Sequence, residues 1–372
     1  MQAMLTRWHN LCSVKNDNCN ASDQIKEKEL IINTKQKESM KKMKFIVASL
    51  VACVGITAQA QETKAAEPKG KAIVQVFSNF NADFSKEAES LGFELERSYL
   101  GYEYKLDGGL TVKGVMDIGK SSDVSDYQRM AYIKNAMLSW KTGNLTLNGG
   151  LISTTQFNFQ EKFWGYRYVM KSFQDLYKFG SSADLGISAA YRFADWLSAD
   201  AIIVNGEGYK KIQKGTGLNY GLGATVTPVE GLQVRLYGGV NEGATSADAD
   251  QWNAATFVGY KGKDFSVGAE YNYMDKAGSA QSGYSVYTSV NVSKTAAVYA
   301  RWDELFAGNT ASIDPLRPSG SSPLKRDSAA AIVGAQFKLG KYVKVAPNVR
   351  MQLDRATGKD TYEGYVSCYF GL

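Results

Sequence analysis

From residue 72 to residue 372, apolar and polar side chains alternate in segments of about ten residues, the period of strands with two unlike faces. In residues 110–118, Leu110, Val112, Met116 and Ile118 share one face, and Thr111, Lys113 and Asp117 the other. The last segment sets Tyr362, Val366, Cys368, Phe370 and Leu372 against Thr361, Glu363, Tyr365, Ser367 and Tyr369. One face suits oil and the other suits water. Sixteen such segments begin near Ala72, Phe93, Leu110, Ala131, Leu145, Ser182, Trp196, Leu218, Leu232, Trp252, Phe265, Gly283, Ala296, Ala329, Tyr342 and Thr361.

The connections sharpen this pattern. Tight turns of Gly, Asp, Asn, Pro and Lys recur at residues 107–109, 142–144, 194–195, 228–231, 261–264, 294–295 and 340–341. Between them the connections read as longer and polar, notably 119–129, 153–181, 206–217, 241–251 and 307–327, so short and long are expected to alternate strictly. An even strand count with short turns at one rim and long loops at the other predicts an all-β fold: a transmembrane antiparallel β-barrel of about 16 strands. Both termini then face the periplasm. Aromatic residues stand where interfacial girdles belong, with Tyr104, Trp140, Phe193 and Phe265 near short turns and Trp252, Tyr273, Tyr284 and Phe306 near long loops. Pro347 falls inside the fifteenth segment and predicts a bulge or local irregularity, because it removes a ladder donor.

The first part of the chain follows other rules. Lys41, Lys42 and Lys44 precede an apolar run, residues 45–57, and a small-residue cleavage site that would cut between Ala60 and Gln61. Residues 40–60 are therefore expected to be a signal peptide, residues 1–39 an over-extended N-terminus, 61–71 a periplasmic linker and 72–372 the barrel. Leu50-Val-Ala-Cys53 also fits a lipidation box, but the apolar run continues past Cys53. Removing residues 1–60 takes away nine basic and five acidic residues and leaves a net charge of +2. The support for nucleic-acid binding leaves with them. So do the single histidine, His9, and every cysteine but Cys368, which removes histidine-dependent catalysis, histidine-ligated metal and any internal disulfide from the mature chain. No cofactor is expected. Asp248 and Asp250 alone supply too few oxygen ligands to predict a metal site.

Several runs in the first half of the mature chain resemble the phosphate-selective porin O and P type family, in the form seen in Bacteroidetes-like bacteria. They are residues 93–105, 134–141, Gln160-Glu-Lys-Phe-Trp-Gly-Tyr-Arg-Tyr168, Ser172-Phe-Gln-Asp175 and 178–186. The second half matches only through its barrel pattern. The resemblance implies a sixteen-stranded outer-membrane channel for small hydrophilic solutes, with phosphate selectivity attached to the family. One departure is the C-terminus, Phe370-Gly-Leu372, where outer-membrane barrels usually end in an aromatic residue.

Residues 153–181 form the third long loop, the position at which sixteen-stranded porins fold a constriction inward. The loop carries Lys162, Arg167, Lys171 and Lys178 against Glu161 and Asp175. In a narrow, partly desolvated passage such an excess of cations favours anions. Arg167 is the first candidate for contact with phosphate, because its planar fork matches an oxyanion. The alternative is a self-contained loop, in which Phe157, Phe159, Phe163, Trp164, Tyr166 and Tyr168 form a small core and the charges pair locally; residues 168–179 also suit a short helix. On the polar face of the wall fall Arg97, Lys105, Lys113, Arg192, Arg235, Arg301 and Arg350, interspersed with Glu103, Asp117, Asp184, Asp303, Asp354 and Glu363. These either set a transverse field or form ion pairs that keep the wall hydrated.

The expected partners are outer-membrane lipid, the barrel-assembly machinery, periplasmic chaperones and small anionic or hydrophilic solutes, with a homotrimer left open and no nucleic acid. The expected function is a passive porin in the bacterial outer membrane, not an enzyme. Competing readings are a surface adhesin or receptor that uses residues 307–327, and a barrel enzyme restricted to carboxylate or lysine chemistry.

Overall fold

Segments of alternating polarity pair edge to edge until the first meets the last. The computed structural model describes residues 70–85, 90–121, 125–245, 247–276, 278–307, 327–355, 358 and 360–372. Residues 1–69 lie outside the described residues, and the fold is contained in Glu62–Leu372. Its strands are β1 (Gly70–Asp83), β2 (Ser90–Lys105), β3 (Leu110–Ser121), β4 (Ser125–Thr142), β5 (Leu145–Ser153), β6 (Ala183–Ala194), β7 (Leu197–Val204) and β8 (Asn219–Val226). They continue as β9 (Leu232–Asn241), β10 (Gln251–Lys261), β11 (Phe265–Lys276), β12 (Ser279–Asn291), β13 (Ala296–Phe306), β14 (Ser328–Leu339), β15 (Val343–Asp354) and β16 (Thr361–Gly371). Each pairs antiparallel with its neighbours, and β1 closes on β16 from Gln75↔Gly371 to Asp83↔Glu363. Closure leaves no strand edge unpaired, which a strand-built span in lipid requires.

The two faces separate as the period predicts. On β3, Val112 and Met116 are exposed on the outside while Asp117 is 1% exposed on the inside. Val258, Val286, Val298, Val333 and Phe370 continue the outer apolar surface. Tyr104, Phe193 and Phe265 face outward near one rim, and Trp252, Tyr273, Tyr284 and Phe306 near the other. Trp140 Nε1 donates to Gly108 O at 3.1 Å and ties the β2–β3 turn to the wall.

Three expectations need correction. Connection lengths do not alternate strictly, since β3 ends at Ser121 and β4 begins at Ser125, and β11 ends at Lys276 and β12 begins at Ser279. β4 therefore starts six residues before Ala131. Beyond the hydrocarbon band both faces of a strand meet water, so polar residues there no longer mark its end. At Pro347 the expected local irregularity is present, as a gap in the ladder to β14 between Gly334↔Asn348 and Phe337↔Val345 with no shift of register and so no bulge; pairing to β16 continues through Pro347↔Val366. β1 begins at Gly70, two residues ahead of the expected start. The leader, the Ala60–Gln61 cleavage site and residues 308–326 of the adhesin reading lie outside the described residues.

Candidate functional site

Residues 154–182 connect β5 to β6 and carry two short helices, α1 (Asn158–Trp164) and α2 (Phe173–Leu176). Asn158 Nδ2 donates to Thr154 O at the start of α1, and Gly165, with φ 74°, ends it by donating its N–H to Glu161 O at 3.1 Å. α1 was not expected, and α2 is the short helix expected within residues 168–179. Internal braces hold the loop. Gln156 Nε2 donates to Gln174 Oε1 at 2.8 Å and Phe179 O at 3.1 Å, and Trp164 Nε1 donates to Met170 O at 2.9 Å.

The loop also packs against inward-facing side chains of the barrel. Phe163 meets the cross-strand pair Gly259↔Gly268 on β10 and β11; a Cβ on Gly259 would stand 2.6 Å from a Phe163 ring atom, and one on Gly268 3.1 Å away. A side chain at either position would occupy the seat of that ring. Phe163 packs edge-on to Phe257, with centroids 4.9 Å apart, and Trp164 lies 5.2 Å from Tyr287. The Tyr166 ring lies tilted against Tyr299, with centroids 4.4 Å apart, and its hydroxyl shares a 2.5 Å hydrogen bond with Ser289. Tyr168 OH donates to Gln336 Oε1 at 2.9 Å.

Three wall arginines hold the loop by its backbone. Arg235 Nη2 donates to Thr155 O at 2.8 Å, Arg301 Nη1 to Lys171 O at 2.5 Å and Arg350 Nη2 to Val169 O at 2.7 Å. Arg235 grips Asp200 at 2.6 and 3.0 Å, and Arg301 grips Asp303 at 2.7 and 2.5 Å, both bidentate. Arg350 lies 3.6 Å over the Tyr365 ring and donates to Asn348 Oδ1 at 2.9 Å. Arg97 pairs with Asp117 at 2.5 Å. Lys105 and Arg192 are exposed near turns at the ends of their strands, where Arg192 meets Asp195 at 3.7 Å.

Within the loop, Arg167 bridges Glu161 and Asp175, at 3.2 Å each, and Lys171 stands 4.0 Å from Asp175. Burial disfavours the Asp175 carboxylate, yet Lys171, Arg167 and Lys178 hold its pKa below the usual range. Asp175 in turn favours charged Lys171, but burial with Lys178, Arg167 and Arg97 brings Lys171 below the ordinary lysine value. Burial also works against the Arg167 charge, while Tyr99, Asp175 and Glu161 raise its pKa, so it stays a cation. Its Nη1 is buried and has no hydrogen-bond partner.

A different set of cations makes no direct salt bridge to a described carboxylate. Lys162 on α1 is exposed, and Lys113 on β3 lies within electrostatic range of Lys162, Lys134 and Lys71, with Glu103 opposite it on β2. Lys113 and Glu103 line a cavity of ≈ 320 Å³ together with Thr111, Ser139, Asn148 and Ser153. Lys134 Nζ donates to Tyr99 OH at 3.2 Å and lies 4.5 Å over that ring. Sequence reasoning missed Lys134 because it is the extra residue of a β-bulge. The register passes from Val115↔Asn135 to Met116↔Ile133, which turns both Lys134 and Asn135 inward. The adjacent polar pair Lys134-Asn135, a slip in the alternation, is the signal that marks it.

Asp248 and Asp250 are taken up by turn hydrogen bonds, accepting from Thr245 N at 2.9 Å and Gly243 N at 3.0 Å. Among the described residues no group of acidic, histidine or cysteine side chains is arranged to hold a metal.

No family model and no curated protein matches this chain. Solved structures do. An anion-selective porin from Comamonas acidovorans aligns with TM-score 0.61 at 12% identity, covering 82% of this chain and 100% of that one. OmpF of Salmonella typhi, in complex with daunomycin, aligns with TM-score 0.59 at 11% identity, covering 83% and 100%. The outer-membrane protein OmpT of Vibrio cholerae aligns with TM-score 0.55 at 14% identity, covering 84% and 100%. At such identities the likeness is one of fold, that of outer-membrane porin barrels.

Proposed function

We propose that the protein is an outer-membrane porin: a passive diffusion channel for small hydrophilic solutes that prefers anions, phosphate among them. The observation that carries the reading is a closed barrel with an apolar outside, whose inner face receives a long cation-bearing loop at the third outer connection. The family resemblance of residues 93–186 and the porin fold support the channel. The anion preference rests on charge placement. Arg97, Arg235 and Arg301 are paired with carboxylates, and Arg167 with two, so their net field at a distance is small. Lys113, Lys134 and Lys162, which make no direct salt bridge among the described residues, are the cations that a permeating anion would meet least compensated, with Lys113 partly offset by Glu103 across the ladder and Lys134 within electrostatic range of Asp175. The export signal, outer-membrane lipid, the assembly machinery and chaperones as partners, and a homotrimer belong to the same proposal.

Purified protein in a planar bilayer should show steady conductance with a reversal potential displaced toward the anion in a salt gradient. No conductance would defeat the channel, and a cation-directed potential would defeat the preference.

A further inference from the structure

The connection between β7 and β8, residues 205–218, also reaches inward. Its first turn is fixed by Asp184, whose Oδ2 accepts from the N–H of Gly206 at 2.7 Å and of Gly208 at 3.1 Å, while Tyr209 N donates to Ala183 O at 2.9 Å. Gly208, with φ 83°, passes so near the returning stem of the β5–β6 loop that a Cβ would stand 2.5 Å from Ser181 Oγ. The chain crosses that stem directly.

Beyond the crossing, Tyr209 reaches β3, four strands from β7. Its hydroxyl donates to Asp117 Oδ2, and Arg97 Nη1 donates to that hydroxyl at 3.5 Å. The ring stands edge-on to Tyr132 of β4 at 6.4 Å and 87°, with Lys134 Nζ 5.9 Å from its centroid. A tyrosine rooted in the β7–β8 connection beside the start of β6, and hydrogen-bonded to β3, spans the wall above β5, where the long loop leaves the barrel. Arg167 comes from that loop to within electrostatic range of Arg97 and Tyr99, so the two connections approach the same part of the wall.

We propose that Tyr209 is a second size-determining element of the channel, completing with Arg167 and the Arg97, Tyr99 and Lys134 wall the ring that solutes pass. This rests on the channel reading above. The tyrosine acts in two ways. Its ring fills width, and its hydroxyl, with Arg97, occupies the Asp117 oxygen that would otherwise repel an anion. Removing it therefore widens the passage and leaves the Asp117 carboxylate to Arg97 alone.

The test uses Tyr209→Cys in a Cys368→Ser background, in planar bilayers. Conductance should rise by roughly twofold and anion preference should fall, because lining width and charge set both. A bulky thiol-directed reagent added to the open channel should then return conductance toward or below the wild-type level. Wild-type conductance in the variant, or no response to the reagent, overturns the proposal and leaves the channel reading standing. No conductance in either protein overturns the channel reading itself. Should Tyr209→Cys not assemble, Tyr209→Phe loses only the tether to Asp117; a current fluctuating between levels supports the proposal, and a steady wild-type trace overturns it.

Discussion

Arg301 carries the arithmetic of the inner wall. Its guanidinium is spent twice, on Asp303 and on the Lys171 carbonyl, and both charged side chains are buried, at 1% and 0% exposure. Removing one partner of a buried pair strands the other charge. Arg301→Ala should therefore cost about 3–5 kcal/mol, read as an earlier midpoint in urea unfolding from liposomes; an unchanged midpoint would show that water rescues Asp303. The polar face of β13 was legible in the sequence, because period-2 alternation places Arg301 and Asp303 inward. Its task was not. A row of inward arginines reads the same whether it faces solute or grips a loop carbonyl, and that choice depends on residues about 130 positions away. Arg167 teaches the same lesson. Its charge was visible, whereas the two carboxylates on either side of it became neighbours only through the fold of the loop.

At the scale of the element, the β5–β6 loop is set on the wall by aromatic rings over glycines. Phe163 seats on the Gly259↔Gly268 pair, and a Cβ on Gly283 of β12 would stand 2.5 Å from the Phe173 ring. Glycine within a strand often marks such a close approach. Gly268→Leu should displace the Tyr287 and Phe163 rings and cost about 1–3 kcal/mol through overpacking, seen as a lower thermal midpoint of the folded band. A midpoint equal to wild type would mean that both rings have another seat. The aromatics of the loop were legible as a cluster, but they pack largely on the wall and do not form a core of their own. Strand positions were legible to within a few residues wherever a strand stays in the apolar band. They slipped at β4, where the strand extends past that band and a bulge breaks the alternation.

Across the whole molecule, the inner charges fall into two populations. On the porin reading, the paired arginines serve the architecture, and the lysines that make no direct salt bridge among the described residues serve the passage. Closure of β1 on β16 fixes the wall on which both stand, and it follows from the even count of amphipathic segments read in the sequence. Bulge-placed Lys134 and the crossing by Tyr209 lay beyond that reading, because both depend on register and loop path. The most direct measurement is the reversal potential of the triple variant Lys113→Glu, Lys134→Glu, Lys162→Glu beside wild type in the same salt gradient. The account predicts that the potential changes sign, from anion-directed to cation-directed. A triple variant that keeps the wild-type anion preference would contradict it.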